Sequence, residues 1–290
     1  MPITPKQFLS GIDELISLPE VCLKVDELAQ KPDTSAVEIA QAVAQDPHLA
    51  AQILRIANSP FYNFPMPVET LSRAIVVIGI QDLRDLVLSS SIIRTFSQTE
   101  SKVFDLKDYW RHSVFTGFLA RQLGAKTQTR VLCRDRLFMA GLLHDIGMLV
   151  MSVKIPEIMR IVVSRSQVAR ESYIQAEKLI FGLTHAEIGA ELMKQWGLPV
   201  SLQTVARYHH SPGRADDHLL ETSIVHIANA MSHYLKLSPV SSDYPAKVSS
   251  TAWKITGLNK EMAFSVLEAT KEEFENSLSA FLPERKVANY

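Results

Sequence analysis

Met139-Ala-Gly-Leu-Leu-His-Asp-Ile-Gly-Met148 is the stretch on which the reading of this chain turns. Gly141, Leu142, Leu143 and Ile146 are small or apolar, so the segment reads as a buried helix that ends in His144 and Asp145. An unpaired charge in apolar surroundings is costly, and Asp145 therefore needs a partner. A neutral imidazole beside a carboxylate suits a divalent cation. Neighbouring helical residues point about 100° apart, but at a helix end both can reach one ion lying off the terminus. Gly147 follows where a helix commonly stops in a left-handed turn. The plainer alternative is an Asp–His hydrogen bond inside a helical core.

Around that stretch the composition narrows the classes. A chain of 290 residues with 47 % hydrophobic content can bury a sizeable core as one large or two modest domains. Thirty basic against 31 acidic residues give a net charge of −1, which argues against a broad nucleic-acid or anionic-membrane surface. Two cysteines, Cys22 and Cys133, suit a reducing compartment and are too few for a disulfide framework. No apolar run approaches 18 residues and the N-terminus has no signal-peptide pattern, so the expectation is a cytoplasmic protein without a membrane span.

Nearly every segment repeats at helical period, which predicts an all-α chain. Ser35 with Glu38, and Thr184 with Glu187, have capping-box spacing. Asp46-Pro47 is a further start signal, an acidic N-cap followed by proline at the first helical position. Helices are expected over 70–78 and 82–96, parted near Gly79, then over 109–123, 136–146, 156–163, 173–181, 185–196, 200–210, 219–237 and 261–281, with a closing turn over 253–258. Residues 97–107 are polar and mark a junction. The division that follows is an N-terminal helical subdomain over 1–97, a helical core over 98–237 and a C-terminal loop and closing helix over 238–290. Phe61, Tyr62, Phe64 and Met66 with the nearby prolines form an apolar loop that would seal the subdomain junction or, if exposed, serve as a docking patch.

Nine histidines are present, and several stand where helices begin or end. His112, His144, Asp145, His185, His209 and His210 could converge as metal ligands; the same set would also suit a polar helical core satisfied by hydrogen bonds and water. Asn229 shares a helix face with His226 and His233, at i−3 and i+4. His48 and His218 read as solvated.

With those residues in hand, the chain resembles the HD superfamily of metal-dependent phosphohydrolases, and more narrowly its HDOD branch, the HD-related output domain of bacterial signalling. The resemblance runs from about residue 10 to 212. In the first half it rests on Leu18-Pro19-Glu20-Val21, Asp46-Pro47, Leu54-Arg55-Ile56-Ala57-Asn58-Ser59, Ala74-Ile75 and Ile78-Gly79. In the second it rests on Trp110-Arg111-His112-Ser113, the Gly141 to Gly147 stretch, His185 with Ile188-Gly189-Ala190, Trp196-Gly197-Leu198-Pro199 and His209-His210-Ser211-Pro212. It implies a multi-helix HD-type bundle. It also implies a divalent cation (iron, manganese or zinc), as one ion or two. His112, His144, Asp145 and Asn229 match one set of ligand positions by order, and His185, His209 and His210 match those of a second metal in the related HD-GYP phosphodiesterases.

The departures bear on activity. A distant Asp of the hydrolases is Asn229 here, the Lys that follows their His-Asp pair is Met148, and Ser211-Pro212-Gly213-Arg214 stands where a Gly-Tyr-Pro motif would follow. Phosphoester hydrolysis needs a strongly bound metal and cationic groups on the phosphoryl oxygens. The resemblance with these losses implies a non-catalytic regulatory module that works through contacts with signalling proteins or a second copy of itself, gated by a ligand or metal in the relic pocket; the balanced charge and the lack of an apolar run argue against nucleic-acid and membrane partners. The rival reading is a metal-dependent phosphohydrolase acting on a nucleotide or cyclic dinucleotide. A DNA-binding helical domain, suggested by the helix pair around Gly79, is disfavoured by the neutral charge.

Overall fold

The structure is a computed structural model that describes residues 3–12, 17–97, 99–127, 134–169, 172–235, 237 and 247–282. Cys133, the end of the first N-terminal segment and most of the polar stretch over 238–250 lie outside the described residues. Among the described residues every regular element is helical, as expected. The residues pack into two units, Met1–Ser17 with Thr99–Thr270, and Leu18–Gln98 with Lys271–Tyr290. The division drawn from sequence differs from this at both ends, because linear position does not say which core a terminal segment joins.

The Leu18–Gln98 unit is built from α2 (Glu20–Ala29), α3 (Ala36–Ala44), α4 (Pro47–Ala57), α5 (Leu71–Ile78) and α6 (Ile80–Ser97), α1 being Pro5–Leu9. Ser35 and Glu38 close their capping box on α3, and Asp46 accepts the Leu49 N–H at 3.0 Å to cap α4. Gly79 takes φ +97° between α5 and α6, a conformation that favours glycine. Phe61 is buried and packs edge-on to Phe281 at 5.3 Å, while Tyr62 stacks on Phe64 at 5.5 Å. The rest of the loop is largely open: Pro60, Asn63, Pro65, Met66 and Pro67 are exposed, Met66 at 75 %.

The larger unit positions the histidines. Its helices are α7 (Leu106–Gly124), α8 (Arg134–Leu143), α9 (Ile146–Lys154), α10 (Pro156–Ala169), α11 (Tyr173–Ile180), α12 (His185–Gln195), α13 (Val200–Tyr208), α14 (Leu219–Tyr234) and α15 (Ser250–Thr256), with a 3-10 turn over Pro212–Arg214. The last helix, α16 (Lys260–Phe281), begins in this unit. From His112 to Ala120 every residue of α7 is buried, so α7 is covered all round, with α8 and α14 against it. Its aromatic residues Tyr109, Trp110, Phe115 and Phe118 are each worth about 1.5–3 kcal/mol of burial.

Two close crossings fix the geometry. A Cβ on Gly141 would stand 2.7 Å from the Gly117 Cα, so α7 and α8 meet backbone to backbone. A Cβ on Gly147 would stand 2.0 Å from the His185 carbonyl oxygen, so α9 lies directly on α12. Gly147 is therefore not the left-handed stop expected from sequence. It sits inside α9, and its missing side chain is the space that α12 occupies.

The helix before His144 ends at Leu143, and a turn at His144 and Asp145 separates it from α9. Taken across that turn, Arg136–Lys154 does reach a spanning length with mean hydropathy 1.5, contrary to the expectation that no run does. It is 89 % buried within the protein, as a core helix pair is.

Candidate metal centre

Each candidate ligand is delivered by a helix terminus or by the buried face of a long helix. His112 comes from α7, and His144 and Asp145 from the α8–α9 turn. His185 is the first residue of α12, where Thr184 caps the helix by accepting the Glu187 N–H at 3.2 Å. His209 and His210 follow α13 directly.

The imidazoles close around one carboxylate. Asp145 Oδ2 lies 3.1 Å from His144 Nε2 and 3.6 Å from His112 Nε2. Asp145 Oδ1 lies 3.3 Å from His185 Nε2 and 3.3 Å from His209 Nε2. His210 Nε2 stands 3.0 Å from His185 Nε2. Asp145 thus serves two groups, His112 with His144 on one oxygen, and His185, His209 and His210 on the side of the other. His210 is half-buried; Asp145 and the other four imidazoles are buried.

The outer nitrogens explain the orientation. His144 Nδ1 donates to the Gly141 carbonyl at 2.7 Å and His209 Nδ1 to the Ala206 carbonyl at 2.8 Å. His185 Nδ1 donates to Glu177 at 2.7 Å. The Ser232 hydroxyl spends its proton on the Asn229 carbonyl at 2.7 Å, so at 3.2 Å it must accept from His112 Nδ1. His112, His144 and His209 then carry their proton on Nδ1 when neutral and turn a bare Nε2 lone pair toward Asp145, whereas His185, held up at about 10, also carries a proton on Nε2 in the metal-free protein. Metal-binding histidines are held in this way, the outer N–H given to a carbonyl or carboxylate.

Bare nitrogens facing a carboxylate are lone pairs against lone pairs. His144 Nε2, His209 Nε2 and Asp145 Oδ1 are buried without a hydrogen-bond partner. Such a set calls for positive charge between the facing atoms, supplied by a metal ion or by protons. Donors bound about 2.1 Å from one ion stand roughly 3.0–3.4 Å apart, close to the spacings here. The residues present fit a divalent metal.

Protons satisfy only part of the set, at His185. Burial would lower His185, but Glu177 and Asp145 outweigh it and hold that imidazole up at about 10. Burial pushes His209 down to about 4 and lowers His112. Burial, with His209 and His185 beside it, drives His210 well below its ordinary value. Burial opposes ionisation of Asp145, yet His144 and the other imidazoles hold it well below the carboxylate range.

Asn229 lies on α14 one turn before Ser232 and His233, both of which meet His112, the latter at 5.6 Å between ring centres. Its side-chain oxygen is buried without a partner. His226, on the same helix, does not join the cluster. Its Nδ1 donates to the His209 carbonyl at 2.6 Å and its Nε2 accepts the Ser249 N–H at 2.9 Å, so it braces the His209–His210 turn. His48 is exposed and His218 half-buried. Met148 is buried, 4 % exposed.

Two functional neighbours escape a reading of the sequence. Ser232 has no signal in isolation. Glu177, 0 % exposed, does have one: with Tyr173, Ala176 and Ile180 it falls at i, i+3, i+4 and i+7, on the apolar stripe of α11. Leu179 on the other face is 64 % exposed.

A model of the HDOD domain family matches residues 15–212, a range that ends before α14 and Asn229. A relative from Treponema pallidum (strain Nichols) is 26 % identical over 228 residues, covering 77 % of this chain; the chain spans 43 % of that relative's length. An HDOD domain protein from Geobacter sulfurreducens has a TM-score of 0.75 at 23 % identity, with 95 % of each chain covered. A Shewanella amazonensis SB2B protein provisionally named a phosphohydrolase gives 0.72 at 22 % identity, over 94 % of this chain and 96 % of that one. A Marinobacter aquaeolei VT8 protein provisionally named a signal transduction protein gives 0.70 at 22 %, over 95 % of this chain and 62 % of that one. At these identities the structural likeness establishes a shared fold.

Proposed function

The chain belongs to the HDOD domain family, and from that premise we propose that it is a regulatory module of bacterial signalling, acting through protein contacts, whose buried pocket holds a divalent cation without efficient phosphoester hydrolysis. The observation that carries this reading is a pocket with its imidazole set in place and neutral side chains at two positions where phosphoryl chemistry needs charge. His112, His144 and Asp145, with Asn229 Oδ1 as a neutral fourth donor, would hold one ion. His185, His209 and His210 would hold a second, sharing Asp145. A bound divalent metal lowers the pKa of a coordinated water and polarises a phosphoryl oxygen.

This chain's own residues supply little beyond that. Met148 offers a thioether where a cation would neutralise phosphate, and Asn229 adds no negative charge to grip the metal. Removal of one transition-state donor costs about 2.7–4 kcal/mol, or 10²–10³ in rate, so two such deficits leave turnover orders of magnitude below an efficient hydrolase. The partner class is a signalling protein or a second copy of the chain. The buried free thiol of Cys22 suits the reducing cytoplasm.

The test is the metal content of protein purified without added metal, beside His144→Ala and Asp145→Ala. Near-stoichiometric iron, manganese or zinc that vanishes in both variants supports the metal site. A folded, metal-free wild type that also takes up none on titration removes it. Turnover of nucleotides or cyclic dinucleotides with manganese or iron present, above that of His144→Ala, would establish the phosphohydrolase reading instead.

A further inference from the structure

The two halves of the cluster are not equivalent. They share Asp145, and the described α14 residues on the His112–His144 side, Asn229 and the His233 that stands 5.6 Å from His112 between ring centres, bring no carboxylate. Behind the other half stands Glu177. Its Oε2 accepts both the backbone N–H of His185 at 3.0 Å and the ring Nδ1–H at 2.7 Å. Glu177 is fully buried, its Oε1 has no hydrogen-bond partner, and among the described residues His185 is its side chain's sole partner. A buried carboxylate so placed is costly unless positive charge lies close by. The His185 ring carries that influence through to Nε2, 3.3 Å from Asp145 and 3.0 Å from His210.

We propose that Glu177 is a positioning residue that makes the His185–His209–His210 side the tighter of two cation positions, so that this side fills first. The inference rests on the cluster being a metal site. A carboxylate on the outer nitrogen of a ligating histidine fixes its ring and raises its donor strength, and loss of such a partner lowers metal affinity 10–100-fold. Asn229 gives the opposite side no comparable charge.

The experiment titrates chelator-stripped full-length protein with Zn²⁺ and follows the imidazole nitrogens by NMR. In the wild type, the first equivalent is expected to shift the His185, His209 and His210 rings before those of His112 and His144. Calorimetry should show the first equivalent weakened 10–100-fold in Glu177→Gln, with Glu177→Asp recovering part of the loss. Asn229→Asp should tighten the second equivalent and leave the first unchanged. Shifts of His112 and His144 first, or a folded Glu177→Gln with the wild-type first affinity, would overturn the proposal while leaving the metal site standing. Failure of the wild type to bind Zn²⁺ at all overturns both.

Discussion

Replacing Gly147 by alanine is the sharpest test of how the fold sets the site. The added Cβ would stand 2.0 Å from the His185 carbonyl oxygen, 2.8 Å from the Gly189 nitrogen and 2.9 Å from the His185 carbonyl carbon. All three are backbone atoms of one helix, so no side chain can turn aside. To restore ordinary contact, α9 and α12 must part by more than about 1 Å. Overpacking of a well-filled core costs about 1–3 kcal/mol, and a clash with backbone belongs at or above the upper end. The same displacement carries His185 away from Asp145, now 3.3 Å distant, and opens one side of the cluster. Gly147→Ala should therefore lose about 3 kcal/mol in urea unfolding of the metal-free protein and retain far less metal on purification. Gly189→Ala is the matched control. Its Cβ would meet the Gly147 nitrogen at 3.2 Å and Ile146 Cγ2 at 3.3 Å, tight spacings that a small shift relieves, for about 1 kcal/mol. A Gly147→Ala protein with wild-type unfolding midpoint and metal content would refute the reasoning.

Three further outcomes follow from named contacts. Ser232→Ala removes one hydrogen-bond partner of the His112 ring, which the Leu237 backbone also meets, and should destabilise the metal-free protein by about 1 kcal/mol in chemical denaturation; an unchanged midpoint would show that this bond does not set the ring. Thr184→Ala removes the cap of α12 and should cost about 1 kcal/mol, whereas Thr184→Ser should cost little. Asp46→Asn keeps an N-cap acceptor for α4 but gives up the ion pair to Arg94 at 2.6 Å. Burial opposes ionisation of Asp46, yet the Leu49 N–H and the Arg94 guanidinium hold its carboxyl below its ordinary value. Its contribution is thus complete above the ordinary carboxylate range and is lost as pH falls through the depressed value. Wild type should exceed Asp46→Asn by up to about 1 kcal/mol at pH 7, and the gap should close toward pH 3; a gap constant across that range would contradict the assignment.

What the sequence discloses about this protein is what is local. The capping boxes at Ser35 and Thr184, the Asp46-Pro47 start and the helical periods are rules over three to seven residues, and the structure follows them. The convergence of His144, His185 and His209 is a tertiary fact. Apart from the family resemblance, it could be suspected because each stands at a helix end, where the chain turns and side chains from several helices can meet. Gly147 misleads for the same reason. A glycine after a polar pair looks like a stop, and only the neighbouring helix, more than 35 residues on in the chain, shows that it is a contact surface. The helix it hides, Ile146–Lys154, is accordingly absent from the sequence reading. Glu177 is intermediate, because its phase on α11 points inward while its charge argues outward. A buried ionisable group on an apolar stripe needs a partner, and here the partner is a histidine already committed to Asp145. The physical rule that sequence reading can apply is therefore to treat an acid in phase with an apolar stripe as part of a site until its partner is found. Applied to this chain, that rule links Glu177 to the histidines, and with it the asymmetry between the two halves of the pocket.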